Sequence, residues 1–538
     1  MQSKEACILM VVVGLATLGV IEAAAAEGES AASPLRIIGE HRNLVGVHFL
    51  DLDEAAANDL RQAGHVNIEA FPLDAQTTVD LELATVEIFA PDAQIISQGP
   101  DGARALDRPE ITLLSGRVAD RPDSRVFLGL SPQGSNGIIA MGESTWIISS
   151  GPAGGEMQTI IYELGALPED AIAWTPFHCA VGELIDAAPA PGPAEADDDG
   201  RHEIGGNDCR VADVAVETDW EFTGDLFDGN PILSSAYATQ LIAAVSEIYT
   251  RDLNVRLRIS WLRVWSDSDD PWDEDNTIDQ IYQFRDYWQA NMGFVPRHVA
   301  HFLSGRALGG GVAWLPGVCN GDHAYGLSAN INGYFPYPLQ DNHPQNGDLM
   351  VVAHELGHNF GAPHTHEHVP QIDNCAGGDC IPNGTIMSYC HTCDGGMINI
   401  VLAFHPMIQD DMLDYIELEM ECDIDVAPVV ITVPPQDQIA CIGGWVTFEV
   451  SAVGDPPITY QWRKDGMGIP GTNIASLVLE DITLEDAGTY DVVVSNPCGD
   501  AVSDPAALTV LPGEGADLDC DGVVDVNDLL ILLAAWGE

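Results

Sequence analysis

The residues best suited to chemistry crowd into one stretch of this chain, positions 351–366, with the sequence VVAHELGHNFGAPHTH. His354 and His358 are four residues apart, so on an α-helix they lie one above the other on a single face, where two imidazoles can share a metal ion. Glu355 stands beside the first of them. Leu349, Val352, Leu356 and Phe360 recur at helical spacing and predict a buried face that fixes the direction of the imidazoles. Gly361 ends the helix. Glycine enters the left-handed backbone region at low cost, so the chain reverses there and returns His364 as a third ligand. Three neutral imidazoles leave one position of a tetrahedral zinc ion open; a water held there has its pKa lowered to roughly 7, and Glu355 is placed to take its proton as it attacks a carbonyl. The pattern predicts peptide hydrolysis. For His-Glu-x-x-His alone, an ordinary surface-facing helix is the bland alternative, and the added Gly361 and His364 make the pattern far more specific.

A helix that holds a metal needs support beneath the ion and a scaffold beside it. The support is predicted in Gly384-Thr385-Ile386-Met387-Ser388-Tyr389, at a distance suited to a tight turn carrying a methionine under the metal. Together the two segments resemble the metzincin metallopeptidases, whose long zinc motif and Met-turn they match residue by residue. The scaffold follows from periodicity: a strand at 211–216, a helix at 235–252, a strand at 255–261, a helix at 277–289 and strands at 298–303 and 310–315. This order gives an α/β domain, taken as residues 209–424, with the metal in a cleft below the sheet. Residues 310–315 resemble the edge strand that, in metzincins, pairs with an extended substrate backbone, and a use for an open edge is physically reasonable. Met387-Ser388-Tyr389 also resembles the Met-x-Tyr of astacins and serralysins, which implies that Tyr389 approaches the zinc and donates to the oxyanion during turnover; a tyrosine packed against the Met-turn is the structural alternative. Thr365 departs from reprolysins, which usually carry aspartate there. His366, His368, His391 and His405 read as exposed or core residues and not as ligands.

Length and composition set the surroundings. At 538 residues, with domains of about 150 residues each, the chain holds three or four of them. Lys4, an apolar run at 6–21 and the small residues 23–26 look like a secretory signal peptide at 1–26, the run being short for a membrane span of about 20 residues. With no second long apolar run, the mature protein is expected to be exported, secreted or attached at a cell surface, without a membrane span. The balance of 20 basic against 83 acidic residues, a net charge of −63, argues against nucleic acid or an anionic membrane as partner. Export permits disulfides. Eleven cysteines remain once Cys7 is removed with the leader, and an odd count leaves at least one thiol single, intermolecular or on a metal.

Residues 27–185 carry strand-like segments at 78–89, 111–118, 125–130, 137–141, 146–149 and 159–163. Positions 114–150 resemble the propeptide of reprolysin-type (adamalysin-like) metallopeptidases, which implies a β-rich prosegment folded against the enzyme to keep it latent. Cys179, in PFHCAVGE, has two readings: a thiolate that occupies the open zinc position, as the resemblance suggests, or a disulfide to Cys209. Residues 186–208 turn to Ala, Pro, Gly and Asp and read as an exposed linker with Arg201 as its only tryptic-type site. Resemblance to reprolysins also implies a Cys319–Cys422 bridge. Cys375, Cys380, Cys390 and Cys393 allow three pairings, with a second zinc as the sharper alternative.

Beyond the catalytic region, residues 427–512 break into short strands at 445–450, 458–463, 476–479, 489–495 and 506–510. Trp462 and Asp486-Ala487-Gly488-Thr489-Tyr490 resemble the strand C tryptophan and tyrosine corner of immunoglobulin-like sandwiches. Val450 and Val492 stand where the usual inter-sheet cysteines would be, and a displaced Cys441–Cys498 bridge is expected. In 517–538, Asp517, Asp519, Asp521, Asp525 and Asp528 fall at positions 1, 3, 5, 9 and 12 of a calcium loop, with Gly522 for the sharp turn and the Val523 carbonyl at position 7. This resembles one EF-hand-like repeat of a dockerin, which implies bound Ca2+ and a cohesin-like or cell-surface partner. The whole reads as a multidomain, secreted zinc endopeptidase acting on protein or peptide substrates and made as a latent precursor; the rival is a non-catalytic extracellular binding protein built on the same domains.

Overall fold

The computed structural model describes residues 29–42, 44–61, 65–132, 134–142, 144–150, 158–164, 178–180, 184, 209–333, 347–381, 384–394, 396–455, 458–469, 471–496, 498–511 and 526. The leader, the 186–208 linker and all of the calcium loop except Val526 lie outside the described residues.

Alternation of apolar and polar residues in the N-terminal region builds a ten-stranded sheet. Its spatial order is Glu29–Ala32, His65–Pro72, Thr78–Thr85, Thr112–Val118, Arg125–Leu130, Asn136–Met141, Ser144–Ser149, Ile160–Glu163, Val47–Leu52 and Leu35–Glu40. One face gathers Val66, Ile68, Leu81, Leu83, Leu128, Ile148 and Ile161 under the short helix Glu54–Leu60. On the opposite face, Leu113, Phe127, Ile147 and Ile160 are buried. That face packs on the long helix of the next domain.

That next domain is built on a nine-stranded sheet ordered His178–Cys179, Gly310–Ala313, Tyr325–Ser328, Val299–Leu303, Cys209–Thr218, Val255–Trp265, Phe89–Gly99 and Gly102–Leu106, with Asp425–Val426 beside Cys209–Thr218. The helix Pro231–Leu253 begins where Asn230 accepts from the Ile232 and Leu233 N–H groups, has proline in its first turn, and ends at Asn254 in the left-handed region (φ 54°). It covers one face of the sheet together with Asp348–Asn359. On the other face lies the helix Thr277–Asn291, through Ile281, Phe284 and Trp288 against Ala215, Ala300, Phe302 and Val312.

Two features differ from the sequence expectation. The segment expected as one strand over 78–89 divides: Thr78–Thr85 stays in the N-terminal sheet, and Phe89–Gly99 crosses into the nine-stranded sheet. Tyr325–Ser328 is an additional strand, inserted between the edge strand and Val299–Leu303; four fully buried residues have no alternation to betray them.

The C-terminal module carries Gln438–Cys441, Ala506–Leu511, Gly488–Asn496, Thr459–Lys464 and Met467–Gly468 in one sheet and Val446–Glu449 with Ser476–Leu479 opposite. Trp462 is fully buried beside Phe448, Val450 and Val492, and the Tyr490 hydroxyl donates to the Asp486 carbonyl at 2.8 Å. The expected Cys441–Cys498 bridge is not formed. Cys498 joins Cys209 instead, because Cys209 pairs in register with Val426 at the entry to this module and the turn after Asn496 brings Cys498 there; Cys441 is disulfide-bonded to another partner. The same bridge removes the Cys179–Cys209 alternative. Cys319–Cys422 forms, and the four lower cysteines pair as Cys375–Cys390 and Cys380–Cys393, which takes them out of play as a second zinc site.

Candidate metal centre

The helix Asp348–Asn359 is buried along its whole length, so the direction of each side chain is set by packing. At its start the Asp348 carboxylate accepts from the Tyr237 hydroxyl (2.8 Å) and from the Asn332 and Gly333 N–H groups. At its middle the Tyr249 hydroxyl donates to the Ala353 carbonyl at 3.0 Å. At its end Gly361 takes φ +91°, its N–H reaches the His358 carbonyl and the Ala362 N–H reaches the Gly357 carbonyl, so the chain turns back as expected. Asn359 ties this end to the sheet by donating to the carbonyls of Trp314 and Tyr325, each at 3.0 Å.

Each imidazole is then oriented by its Nδ1–H: His354 to the Ile386 carbonyl (2.7 Å), His358 to the Ala362 carbonyl (2.7 Å) and His364 to the Glu367 carboxylate (2.8 Å). The Nε2 atoms are left to face one another, 3.2 Å apart for His354 and His358. With the sulfur of Cys179, one donor atom from each of the three histidines lies within 4.8 Å of all the others. Burial, with the neighbouring His364 next, holds His354 and His358 well below the ordinary histidine range, so both rings are neutral. Converging lone pairs in a dry site repel unless a cation sits among them. Three imidazole nitrogens and one sulfur suit zinc.

Glu355 is fully buried on the same helix, and burial pushes its carboxyl well above the usual range. Its Oε2 accepts the Cys179 thiol at 3.3 Å, and Gly311 of the edge strand packs directly on it. The chain around Cys179 lies along that edge strand in parallel, His178 opposite Gly310 and Cys179 opposite Gly311, and the Ala180 N–H donates to the Gly311 carbonyl at 3.0 Å. Tyr389 donates to the Cys179 carbonyl at 3.1 Å and stands 3.3 Å from His364 Nε2. Met387 lies buried under the helix against Gly357. Thr365 fastens this turn, its N–H and hydroxyl both donating to the Met387 carbonyl (3.1 and 3.3 Å), which is a structural use for the residue that replaces aspartate.

His354, Glu355, His358, His364, Tyr389 and Cys179 therefore meet at one point. Asp517, Asp519, Asp521, Val523, Asp525 and Asp528 lie outside the described residues. Of the other histidines, His366 stacks on the His364 ring (centroids 5.1 Å apart), His391 is buried, His368 faces Asp411 at 3.2 Å and His405 caps the helix Pro406–Asp414. Sequence reasoning missed Glu367, Asn359 and Gly311. Only Glu367 carried a signal, its spacing of three from His364.

Comparison with known proteins bears on the same region: residues 208–399 match the model of the family described as metallo-peptidase family M12. The chain carries a reprolysin-type metallopeptidase domain. Residues 428–496 match the immunoglobulin domain model, so an Ig-like domain follows the metallopeptidase. The metallopeptidase part is similar to mouse disintegrin and metalloproteinase domain-containing protein 19, at 26% identity over 162 residues (28% of this chain, 16% of that protein), and to protein 1a of the same name from mouse, at 29% over 147 residues (26% and 17%). Over an alignment of 104 positions the chain is 36% identical to tyrosine-protein phosphatase Lar of Drosophila melanogaster, covering 17% of this chain and 5% of that protein. The chain thus spans 5 to 17% of the length of these curated relatives. A titin I-band fragment is 31% identical over 16% of this chain and 32% of its own, with a TM-score of 0.15. Among the described residues no helix is long and apolar enough to cross a membrane.

Proposed function

We propose that this chain is a secreted zinc endopeptidase made as a latent precursor. The observation that carries the reading is the convergence of His354, His358 and His364 through Nε2 beside a buried Glu355 and a strand edge. The three histidines would hold the ion, which would supply Lewis-acid chemistry for a peptide carbonyl and a water. Gly310–Ala313 orients an extended peptide through its backbone groups. Glu355 takes up a proton at its carboxylate and returns it to the departing amine; the dry, buried setting that raises its affinity for protons suits a group that must hold one briefly. Tyr389 donates a hydrogen bond to a carbonyl in this cleft, the oxyanion in turnover and the Cys179 carbonyl in the precursor.

Latency rests on Cys179. Its strand fills the peptide edge in the parallel sense, its sulfur joins the ligand cluster and its thiol engages Glu355, so substrate, water and base are all blocked by one short segment. Disulfides fit an exported protein, and residues 517–538 serve as a calcium-binding tail for a cohesin-like or cell-surface partner.

The test is zinc content together with hydrolysis of unfolded protein, for the activated chain and for Glu355→Gln. One zinc per chain in both, with activity lower by about 10²–10⁴-fold in the variant, is the expected result. Unchanged turnover by Glu355→Gln would remove the mechanism. Zinc without turnover in either protein, across a broad peptide library, would favour a non-catalytic binding protein.

A further inference from the structure

The N-terminal region is built into the metallopeptidase domain, not merely laid over it. Phe89–Gly99 runs parallel to Val255–Trp265, pairing Trp261 with Gln94 through to Trp265 with Gln98, and the Ile259 N–H donates to the Ile88 carbonyl at 2.7 Å. Its hairpin partner Gly102–Leu106 forms the far edge of the catalytic sheet. On the helix Pro231–Leu253, residues 234–246 are buried without interruption, whereas a helix with only one neighbour keeps a solvent face. Besides the nine-stranded sheet and the helix Asp348–Asn359, its neighbour is the N-terminal sheet: Phe127, Ile147 and Ile160 share one apolar cluster with Leu241, Val245 and Ile248. Polar groups are matched across the same boundary. Asn136 donates to the Gln240 side chain at 2.9 Å, Gln240 donates to the Gly134 carbonyl at 3.3 Å, and the Ser115 hydroxyl donates to the buried Glu247 carboxylate. The Ig-like module adds a third attachment, His65 to Asp500 at 2.7 Å.

Among the described residues, the segment that covers the metal site has fewer attachments. It offers two register pairs with the edge strand, the Ala180 hydrogen bond, the contacts of Cys179 and the buried side chain of Leu184.

We propose that residues 29–164 are a permanent, non-covalent subunit of the mature enzyme, and that cleavage in the 186–208 linker frees only the strand around Cys179 while the N-terminal sheet stays in place. Removing that sheet would strip two strands from the catalytic sheet and leave Gln240 and Glu247 without their partners on a bared apolar helix face. The proposal rests on the latent-precursor reading for what cleavage achieves, but the association of the two pieces is measured without any peptidase assay.

A specific-protease site placed within 190–200 of the full chain allows a single cut. The expected result is that both fragments elute together at the mass of the uncut chain under native conditions and separate only in denaturant. Hydrogen exchange on the cut protein is expected to find Phe89–Gly99 and Pro231–Leu253 as protected as before, with protection lost at Gly310–Ala313. Separate elution of the N-terminal fragment, with the remainder a folded monomer, overturns the proposal; so does loss of protection along Phe89–Gly99. Persistent association with no gain of peptidase activity supports the subunit and counts only against the latency reading.

Discussion

At the scale of single residues, the candidate site depends on side chains that are absent as much as on those present. Gly311 has no Cβ because the Glu355 carboxylate fills that space, at the point where the edge strand crosses the metal helix. Gly311→Ala is therefore expected to displace Glu355 while leaving the histidines alone: kcat/KM falls by about 10–100-fold, as for a misplacement near 1 Å, with zinc content unchanged. Wild-type kcat/KM in that variant would show that the carboxylate has room to spare. The meeting of His354, His358 and His364 is legible in the sequence because helical spacing alone puts two of them on one face and Gly361 supplies the reversal. What orients them is not legible. The Ile386 and Ala362 carbonyls are backbone groups with no side-chain signature, and Asn359 acts on carbonyls of strands and turns 34 to 45 residues away.

At the scale of elements, the helix Pro231–Leu253 is the post against which the metal helix is set. Tyr237 and Tyr249, twelve residues apart and both buried, reach Asp348 and Ala353 respectively. Tyr237→Phe removes one donor from a buried carboxylate and keeps the ring. Unfolding by urea is expected to show a loss of about 1–3 kcal/mol with the slope unchanged; a midpoint equal to that of the wild type would mean that water or the two backbone N–H groups suffice for Asp348. The strands that alternate, such as Gly488–Asn496 and Ala506–Leu511, and the amphipathic helix Thr277–Asn291 are readable from period alone. Tyr325–Ser328 and the crossing strand Phe89–Gly99 are not, since an element buried on both faces loses its period and no local signal reports which sheet a strand joins.

At the scale of the molecule, three sequence regions close on one another, and a titratable pair joins two of them. The hydrogen bond that His65 donates to Asp500 raises the pKa of His65, opposed by burial and by Arg463; burial pushes the Asp500 carboxyl up, but its bonds with His65 and Ser495 and the charges of His65 and Arg256 outweigh that and hold it low. A raised histidine stabilises the fold fully below its unfolded value of about 6.5 and loses that contribution as pH rises through its folded value. A depressed aspartate loses its own as pH falls through its folded value. The wild type should then exceed His65→Gln in melting temperature from mildly acid pH up to about 6.5, by the equivalent of about 1 kcal/mol or less for a pair this exposed, with the gap closing as pH rises further. A gap independent of pH would assign the contact to packing alone.

The Cys209–Cys498 bridge has a mechanical consequence. It closes a covalent ring across 289 positions of sequence, and the metal helix, the edge strand and most of the Ig-like module lie inside that ring. If the uncut chain is pulled between its two ends, tension passes from the N-terminal side to Cys209, across the sulfurs to Cys498 and on toward the C-terminus. Residues 210–497 are bypassed. The geometry of the candidate metal site is thus sheltered from that stretch for as long as the bridge is oxidised, and reducing it would turn the same pull into a force on Cys209–Thr218 of the nine-stranded sheet.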